Sequence, residues 1–328
     1  MPLDIKYQYL IEHLIPAQDI TVVWGRPKSG KTFIVLDMAL HVACNLSYRG
    51  RRTIGGPVVY FTFEGAYIFP ARVHAALRNM GLQDRDVPFY YCKDARKLTK
   101  VGGADGLIVA MRDIPAPPVL VIIDTVNRAL DGSENSDEDM THFTRCAEDI
   151  GREFSCAVIV VHHARKGGDV PRGHTSLTGT CAAQLRVERA SKVPASADQS
   201  MMVGITVEFM KDGPEGGQEF SWLTPMTMMD EEGRDVVSCY CTEAPKPSKE
   251  TSYLTGLAKK ALSILEKAIT ASDGSSITYT DWRRQFEASH GGKKEAANKA
   301  FSRAYDILVD KGLVHLTGVN VSLTDRST

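Results

Sequence analysis

The twelve residues at positions 22–33, VVWGRPKSGKTF, decide the fold of this protein. Within them, residues 25–32 match the pattern G-x-x-x-x-G-K-[ST] at every fixed position. The apolar residues before the first glycine predict a buried strand. Apolar residues at helical spacing after Thr32 predict a helix over residues 31–44. Strand, glycine-rich loop and helix therefore follow one another in the order that this motif requires.

This motif predicts a site for the phosphates of a nucleoside triphosphate. We expect Gly25 and Gly30 to adopt backbone angles that other residues resist. The N–H groups of the loop then converge on phosphate oxygens, and the following helix adds its N-terminal dipole. Lys31 is expected to reach the β- and γ-phosphates, and the Thr32 hydroxyl to ligate Mg²⁺. The predicted cofactors are ATP and Mg²⁺. The predicted phosphate-binding residues of the loop are Gly25, Lys28, Ser29, Gly30, Lys31 and Thr32.

The composition is that of a globular protein with one large or two ordinary domains. The chain has 328 residues, of which 43% are hydrophobic and 24% are charged. The net charge of −1 argues against a protein that coats nucleic acid, but it allows a local basic patch. The N-terminus lacks the apolar core of a signal peptide, and no apolar run of about 18 residues occurs. We therefore expect a cytoplasmic protein without a membrane span. The seven cysteines have neither a zinc spacing nor the even count of a disulfide framework.

Strand-like and helical segments alternate through the first half of the chain. The predicted strands are residues 20–24, 58–62, 89–92, 119–123 and 157–161. The predicted helices between them are residues 31–44, 66–80, 103–112 and 137–154. This alternation predicts an α/β fold with a mostly parallel sheet and helices on both faces. Three further strands, at residues 182–188, 202–210 and 219–223, are expected to add antiparallel strands to one edge of the sheet.

A polar segment with two prolines at residues 243–252 predicts a linker between two domains. The domain before it is residues 1–242, and the domain after it is residues 253–328. In the second domain, three predicted helices precede a predicted hairpin, which is the order of a winged helix. The helices are residues 254–269, 281–289 and 293–311, and the hairpin strands are residues 313–316 and 319–323.

Two acids at predicted strand ends extend the phosphate site. Asp124 follows the apolar run 119–123, where a carboxylate beside the phosphate loop holds the Mg²⁺ shell. Many ATPases place a water-activating glutamate directly after this aspartate. In this chain the next residue is Thr125, so another residue must activate water. Glu64 ends the second predicted strand and should lie near the same edge of the sheet. We therefore predict that Glu64 orients the attacking water.

Two histidines follow the fifth predicted strand directly, and a basic loop comes after them. A polar side chain at this strand tip hydrogen-bonds the γ-phosphate and responds to its loss. His162 is the first choice for this role and His163 is the alternative. The segment 164–176 is rich in glycine, arginine and lysine. It is either a solvated surface loop or a mobile loop that carries charge to a neighbouring nucleotide or to a nucleic-acid backbone.

Taken in order, these motifs resemble the RepA-type branch of RecA-like ATPases, which includes plasmid hexameric replicative helicases and many ATPases of phages and mobile elements. The similarity extends over roughly residues 5–225. The motifs that carry it are residues 25–32, 63–65, 123–128, 132–140, 161–164, 171–173 and 210–216.

The resemblance implies a RecA-like core, usually in rings of six subunits with ATP between neighbours. Glu64 matches the catalytic glutamate and Asp124 the magnesium-linked aspartate of that family, and His162 matches its sensor position. Arg172 falls where an arginine finger would reach the next subunit's γ-phosphate. Lys211 is a further candidate for action across the interface, with a solvated turn lysine as the alternative. Loops 165–176 and 189–200 would face a central channel and grip single-stranded DNA.

The second domain is weakly basic, with eleven Lys or Arg against eight Asp or Glu over residues 253–328. Its third helix carries basic residues that suit phosphates, although winged helices also serve as protein-docking modules. The basic residues singled out on its last two helices are Arg283, Arg284, Lys293, Lys294, Lys299 and Arg303. DNA contact and partner contact both remain open.

Three functions therefore stay open at the level of the sequence. The leading interpretation is a ring-forming ATPase that moves on or unwinds DNA, in phage or mobile-element replication. The alternative is a nucleotide-gated DNA-binding regulator or loader without unwinding activity. The third is an ATP-dependent scaffold with no role on DNA.

Overall fold

A computed structural model describes residues 8–93, 95, 97–98, 102–165, 175–190, 200–246, 256–272, 276–290, 294–310 and 313–323. The chain divides into two compact units, Met1–Lys246 and Pro247–Thr328. No helix within the described residues is both long enough and apolar enough to cross a membrane.

The first unit is an α/β sandwich around one large sheet. Its strands are β1 (Tyr9–Ile11), β2 (Ile15–Pro16), β3 (Ile20–Gly25), β4 (Val58–Thr62), β5 (Phe89–Cys92), β6 (Leu120–Asp124), β7 (Ala157–His163), β8 (Ala183–Arg189), β9 (Met201–Met210), β10 (Gln218–Met229) and β11 (Asp235–Ala244). Its helices are α1 (Lys31–Ala43), α2 (Phe69–Asn79), α3 (Asp105–Arg112), α4 (Val126–Ala129), α5 (Asp137–Phe154) and α6 (Thr175–Thr180).

Nine of these strands form the sheet, in the order β11-β10-β9-β8-β3-β7-β6-β4-β5. The six strands from β8 to β5 run parallel to one another, and β9, β10 and β11 continue the sheet antiparallel. The strand β3 lies inside the parallel part, so the loop after it opens at the carboxyl edge of the sheet. This is where ligands bind in open α/β sheets. The architecture confirms the predicted fold class, including the antiparallel strands at one edge.

Helices cover both faces of the parallel strands, which explains their continuous apolar runs. On one face, α1 and α2 pack in a core with alternate strand residues such as Val23 and Val161. On the other face, α3, α4 and α5 pack with the intervening residues, such as Trp24 and Val160. Val203 and Leu223 from the antiparallel strands join the same core as α1. The antiparallel part of the sheet therefore covers the side of α1 that the parallel strands leave open.

The antiparallel strands are longer than the sequence predicts. The predicted strand 219–223 is the first half of β10, and β11 was not predicted at all. Glu243 and Ala244 belong to β11 and pair with β10, although they fall in the predicted linker. Both strands mix polar and apolar residues because only part of each is buried, which weakens their sequence signal.

The second unit contains α7 (Gly256–Ala271), β12 (Ser276–Thr278), α8 (Tyr279–His290), α9 (Lys294–Asp310), β13 (Val314–Thr317) and β14 (Asn320–Leu323). Its three strands form a small antiparallel sheet in the order β12-β14-β13. Trp282, Phe286 and Phe301 form the centre of its core, and the Trp282 Nε1–H donates to Ala261 O at 2.7 Å. Three helices precede the hairpin, as the sequence predicts, and β12 is an additional strand. The winged-helix interpretation remains a prediction.

Two glycines of the phosphate loop are required for different reasons. Gly30 has φ +99°, so the expectation of an unusual backbone angle is confirmed there. For Gly25 that expectation is wrong, because its φ lies outside the left-handed region. A Cβ on Gly25 would instead lie 2.1 Å from the carbonyl oxygen of Val187 on β8. Gly25 is needed so that the backbone of β8 can approach the end of β3.

We expect Gly25→Ala to lower the free energy of unfolding by about 3 kcal/mol, because a sheet carbonyl cannot move aside as a flexible side chain does. Urea unfolding of the full chain measures this. Gly179→Ala is the matched control, since a Cβ there meets nothing within 4 Å; because Gly179 lies in α6, this change should leave stability unchanged or raise it by up to about 1 kcal/mol. Equal midpoints for the two variants would contradict the steric account.

Candidate nucleotide-binding site

The loop between β3 and α1 has the backbone shape of a phosphate cradle. Two of its residues, Lys28 and Gly30, have positive φ angles, of 62° and 99°. The N–H groups around such residues turn toward a common point, and α1 adds its N-terminus to the same place. The Ser29 hydroxyl lines the cavity at this point and makes no hydrogen bond within the described part of the chain. The loop therefore fits a phosphate group.

Lys31 begins α1 and is buried, with 5% of its surface exposed. Its Nζ donates hydrogen bonds to the carbonyl oxygens of Gly25 and Arg26, both at 3.0 Å. Burial lowers the pKa of Lys31 from its usual value of 10.5 to about 8, although the carboxylates of Asp124 and Glu64 oppose the shift. A buried ammonium that is hydrogen-bonded to carbonyls gains strongly from an added anion.

Asp124 ends β6 behind the loop and is almost completely buried. Its Oδ2 accepts hydrogen bonds from the Thr32 hydroxyl at 2.8 Å and from the Tyr60 hydroxyl at 2.7 Å. Burial raises the pKa of Asp124, whereas these two hydrogen bonds and the nearby Lys31 and Arg72 act to lower it. Its Oδ1 has no hydrogen-bond partner among the described residues. One hydroxyl and one carboxylate, side by side, fit the oxygen ligands that Mg²⁺ prefers.

Glu64 lies directly after β4 and faces the same cavity. About half of its side chain is exposed (52%), and its Oε2 lies 3.6 Å from the Nε2 of His163. An accessible carboxylate beside the phosphate loop is placed to orient a water molecule. The sequence prediction of a shared edge for Glu64 and Asp124 agrees with the pairing of Thr62 with Asp124 in neighbouring strands.

The two histidines at the end of β7 point to opposite faces of the sheet. His162 is 1% exposed and alternates with Val161, whose side chain packs on the α1 face. His163 lines the cavity and contacts Glu64. The first choice, His162, therefore does not face the nucleotide cavity, and the alternative, His163, does. The strand periodicity of two explains this result, because only every second residue of β7 faces α1.

The cavity around these residues has a volume of about 680 Å³. It is bounded by the phosphate loop, the ends of β4, β6, β7 and β8, helix α2, and the antiparallel strands. Its lining residues are Lys28, Ser29, Gly30, Lys31, Thr32, Phe33, Glu64, Gly65, Arg72, Thr125, His163, Arg189, Met201, Leu223, Pro225 and Cys239.

Several residues in and beside this cavity were not predicted from the sequence. Tyr60 holds Asp124 from within β4, but a strand tyrosine is usually a core residue. Arg72 reaches the cavity from α2, and its guanidinium lies 5.1 Å from the centre of the Phe33 ring. The Nε of Arg189 donates to Lys28 O at 2.8 Å. No motif marks these residues, because their contacts depend on how separate elements pack.

Some predicted residues lie elsewhere. The backbone N–H of Lys211 donates to Ala182 O, and the preceding Met210 pairs with Ala183. Ala183 pairs with Thr21 at the start of β3, whereas the phosphate loop follows the end of β3. Lys211 is therefore at the opposite edge of the sheet from the loop of its own chain. Arg172 lies outside the described residues, as do most of loops 165–176 and 189–200.

The basic residues of the second unit differ in their surroundings. The Arg283 Nε donates to Glu287 at 2.7 Å, and Arg284 forms an ion pair with Asp281 at 3.1 Å. Both arginines are therefore engaged by carboxylates on their own helix. Lys299 and Arg303 are exposed on α9. Lys293 and the side chain of Lys294 lie outside the described part.

The fold and this site together define a class: a P-loop nucleoside triphosphatase with a mostly parallel α/β sheet. A family model described as "AAA domain" matches residues 6–169, which are 164 of the 328 residues. The chain belongs to this AAA domain family. No curated protein sequence matches the chain significantly.

Among solved structures, the chain is similar to the RadB recombinase, with 19% identity, 64% of this chain and 89% of that chain covered, and a TM-score of 0.47. It is also similar to a structure described as an ATPase domain, with 16% identity, 67% of this chain and 84% of that chain covered, and a TM-score of 0.46. A DnaB-like replicative helicase shares 15% identity, with 63% of this chain and 57% of that chain covered, and a TM-score of 0.45.

The pKa of Lys31 predicts that nucleotide binding takes up a proton at mildly alkaline pH. At pH 8, about half of the free protein has neutral Lys31, and bound phosphates restore its charge, so Mg·ATP binding should take up about half a proton. At pH 6.5 the uptake by this group should be close to zero. Calorimetric titrations in buffers of different ionisation enthalpy measure the difference.

Lys31→Arg is the matched control for this titration, because arginine stays charged throughout this pH range. It should remove the uptake at pH 8. The same uptake in both proteins, or equal uptake at pH 6.5 and pH 8, would contradict the assignment. The lowered pKa also means that the unfolded chain binds more protons between about pH 8 and 10.5, so the contribution of Lys31 to stability rises with pH there.

Proposed function

We propose that this protein is an ATP-hydrolysing, ring-forming RecA-like motor that acts on DNA, as a helicase or translocase of a phage or mobile element. One observation carries the enzymatic part of the proposal. The accessible carboxylate of Glu64 faces the same cavity as the phosphate loop. In that loop, the Thr32 hydroxyl donates a hydrogen bond to the buried Asp124. A site that only stored a nucleotide would not need such a carboxylate.

The proposed reaction is attack of water on the γ-phosphorus. Glu64 orients the water and accepts its proton while the bond from the γ-phosphorus to the β–γ bridging oxygen breaks, which leaves ADP and phosphate. Lys31 stabilises the negative charge that accumulates on the transferred group. Mg²⁺, held by Thr32 and through the carboxylate of Asp124, would supply further charge neutralisation when it is bound.

His163 is the proposed sensor of the γ-phosphate. It lines the cavity and lies 3.6 Å from Glu64. A γ-phosphate bound beside His163 would give its ring a new acceptor, and the loss of that phosphate on hydrolysis would remove the acceptor. Since His163 ends β7 and precedes the basic segment 164–176, a change at its ring is passed directly to that segment of the chain.

The ring and the contribution of a neighbouring subunit rest on the resemblance to RepA-type ATPases. Arg172 is proposed to reach the γ-phosphate of the next subunit. Lys211 is proposed to act on the next subunit as well, and its position at the edge of the sheet opposite its own phosphate loop supports this. Six subunits are the expected number.

Action on DNA is supported by the basic segments. Loops 165–176 and 189–200 are proposed to face single-stranded DNA in a central channel. In the second unit, Lys299 and Arg303 are exposed on one helix and suit a phosphate backbone. A nucleotide-gated DNA-binding regulator would use the same residues. Only a measurement of unwinding or translocation therefore distinguishes this alternative from a motor.

Steady-state ATP hydrolysis, with and without single-stranded DNA and over a range of protein concentrations, tests the proposal. We expect DNA to raise the turnover number at least about tenfold, because the motor cycle depends on bound DNA. We also expect the specific activity to rise with protein concentration, because neighbouring subunits complete the sites.

Hydrolysis that is independent of both DNA and protein concentration would contradict the motor. DNA stimulation without unwinding of a forked duplex or translocation along a single strand would favour the regulator. Lys31→Ala serves as the background control, since it removes the charge that binds the β- and γ-phosphates.

A further inference from the structure

The cavity extends beyond the residues proposed to bind the phosphates. Its lining is polar near the phosphate loop and mainly apolar farther from it. Around Thr32 the lining consists of polar and charged side chains from the phosphate loop and the ends of the parallel strands. The rest comes mainly from β9, β10 and β11 and is apolar. Since Lys31 and Glu64 mark the γ-phosphate end, the nucleoside of a bound triphosphate extends toward the other part.

Four apolar side chains, Met201, Leu223, Pro225 and Cys239, form one face of the antiparallel strands over this part of the cavity; we call them the apolar platform. The strand register fixes their common face. Leu223 pairs with Met201 and Pro225 pairs with Cys239, and paired residues of antiparallel strands project to the same side. Leu223 and Pro225 are two residues apart on β10, so they also share that side.

The platform is held close to the phosphate loop. The Cδ1 of Leu223 lies 2.9 Å from the position that a Cβ on residue 30 would occupy. The Leu223 side chain can therefore pack against the phosphate loop only because residue 30 is glycine. Phe33, in the first turn of the helix that follows the loop, lines the same cavity, and the guanidinium of Arg72 lies over its ring at 5.1 Å. A flat aromatic group beside the phosphates therefore meets apolar and planar surfaces.

The platform lacks groups that distinguish one base from another. Among the described lining residues, its four side chains offer no amide, hydroxyl or carboxylate. The Nε of Arg189 donates to Lys28 O, and its terminal nitrogens, like those of Arg72, can only donate. Arg72 is a donor only, and every nucleobase has an acceptor for it. Stacking and apolar contact tolerate any base, since each base has a π-face.

We propose that the apolar platform and Phe33 form the nucleobase subsite, and that this subsite accepts purine and pyrimidine nucleoside triphosphates alike. The inference rests on the proposed function, because it assigns the base of the triphosphate that the phosphate loop binds. Met201, Leu223, Pro225 and Cys239 would contact the base and contribute affinity without selecting one base over another.

The first test compares hydrolysis of ATP, GTP, CTP and UTP by the wild-type protein, with inorganic tripolyphosphate as a competitive inhibitor. The four values of kcat/KM should lie within about 100-fold of one another, since apolar contacts discriminate only weakly. Tripolyphosphate should inhibit more weakly than each nucleotide binds, because it lacks a group for the platform. A preference above about 100-fold for one base would overturn the proposal.

The second test fills the subsite. Cys239→Trp should weaken binding of all four nucleotides at least about tenfold and leave the inhibition constant of tripolyphosphate within about threefold of the wild-type value. Tyr240→Trp is the matched control, because Tyr240 is the next residue on β11 and points to the opposite face, and it should change neither. If Cys239→Trp does not fold, as judged by circular dichroism, Met201→Trp replaces it with the same expectation, since it adds bulk to the platform without adding charge.

These outcomes separate failure of the subsite from failure of the proposed function. If the wild-type protein binds neither ATP nor tripolyphosphate, the phosphate site itself is wrong and both proposals fall. If tripolyphosphate binds but filling the platform leaves nucleotide affinity unchanged, the subsite is overturned and the phosphate site stands. Equal loss of nucleotide and tripolyphosphate binding in Cys239→Trp would also overturn the subsite.

Discussion

The burial of α1 on nearly all sides is the constraint on which the rest of the first unit depends. The helix carries apolar residues around most of its circumference, and exposing any large one would cost about 1.5–3 kcal/mol. The parallel strands cover one side, and β9 to β11 cover the other. Arg49 strengthens this arrangement, since it donates to Phe220 O on β10 at 2.7 Å and to Asp37 on α1 at 3.2 Å. The phosphate loop at the start of α1 is therefore held between two layers, and the gap between them is the cavity.

This constraint explains which parts of the fold the sequence could predict. The buried parallel strands and the amphipathic helix α5 have strong periodic patterns, and α5 was predicted at Asp137–Phe154 as observed. The strands β10 and β11 are only partly buried, so their patterns are mixed and β11 was missed. The reason for a glycine at position 25 is also not visible in the sequence, because the close approach of Val187 O depends on the pairing of β8 with β3. The local sequence therefore predicts helices and buried strands, whereas the partly buried strands and the close contact at Gly25 depend on packing between distant segments.

Some residues of the candidate site can likewise be predicted from the sequence, whereas others become evident only in the packed structure. The phosphate loop, Asp124 and Glu64 were predicted because a motif or a strand end marks each of them, and the structure brings them to the same edge of the sheet. Choosing between His162 and His163 requires knowing which face of the sheet each side chain points to. The predicted strand 157–161 ends before both residues, so it does not give this information. Tyr60 carries no motif, and its contact appears only when the elements are packed.

We propose Glu64 as the group that activates water, and Glu64→Gln tests this proposal most directly. The variant should bind Mg·ATP with a dissociation constant within about threefold of the wild type, because the amide keeps the shape of the side chain. Its single-turnover hydrolysis should fall by at least about 100-fold, because the amide cannot accept a proton. Glu231→Gln, at an exposed position in the turn after β10, is the control and should hydrolyse normally. Wild-type hydrolysis by Glu64→Gln, or loss of binding as large as the loss of hydrolysis, would contradict the account.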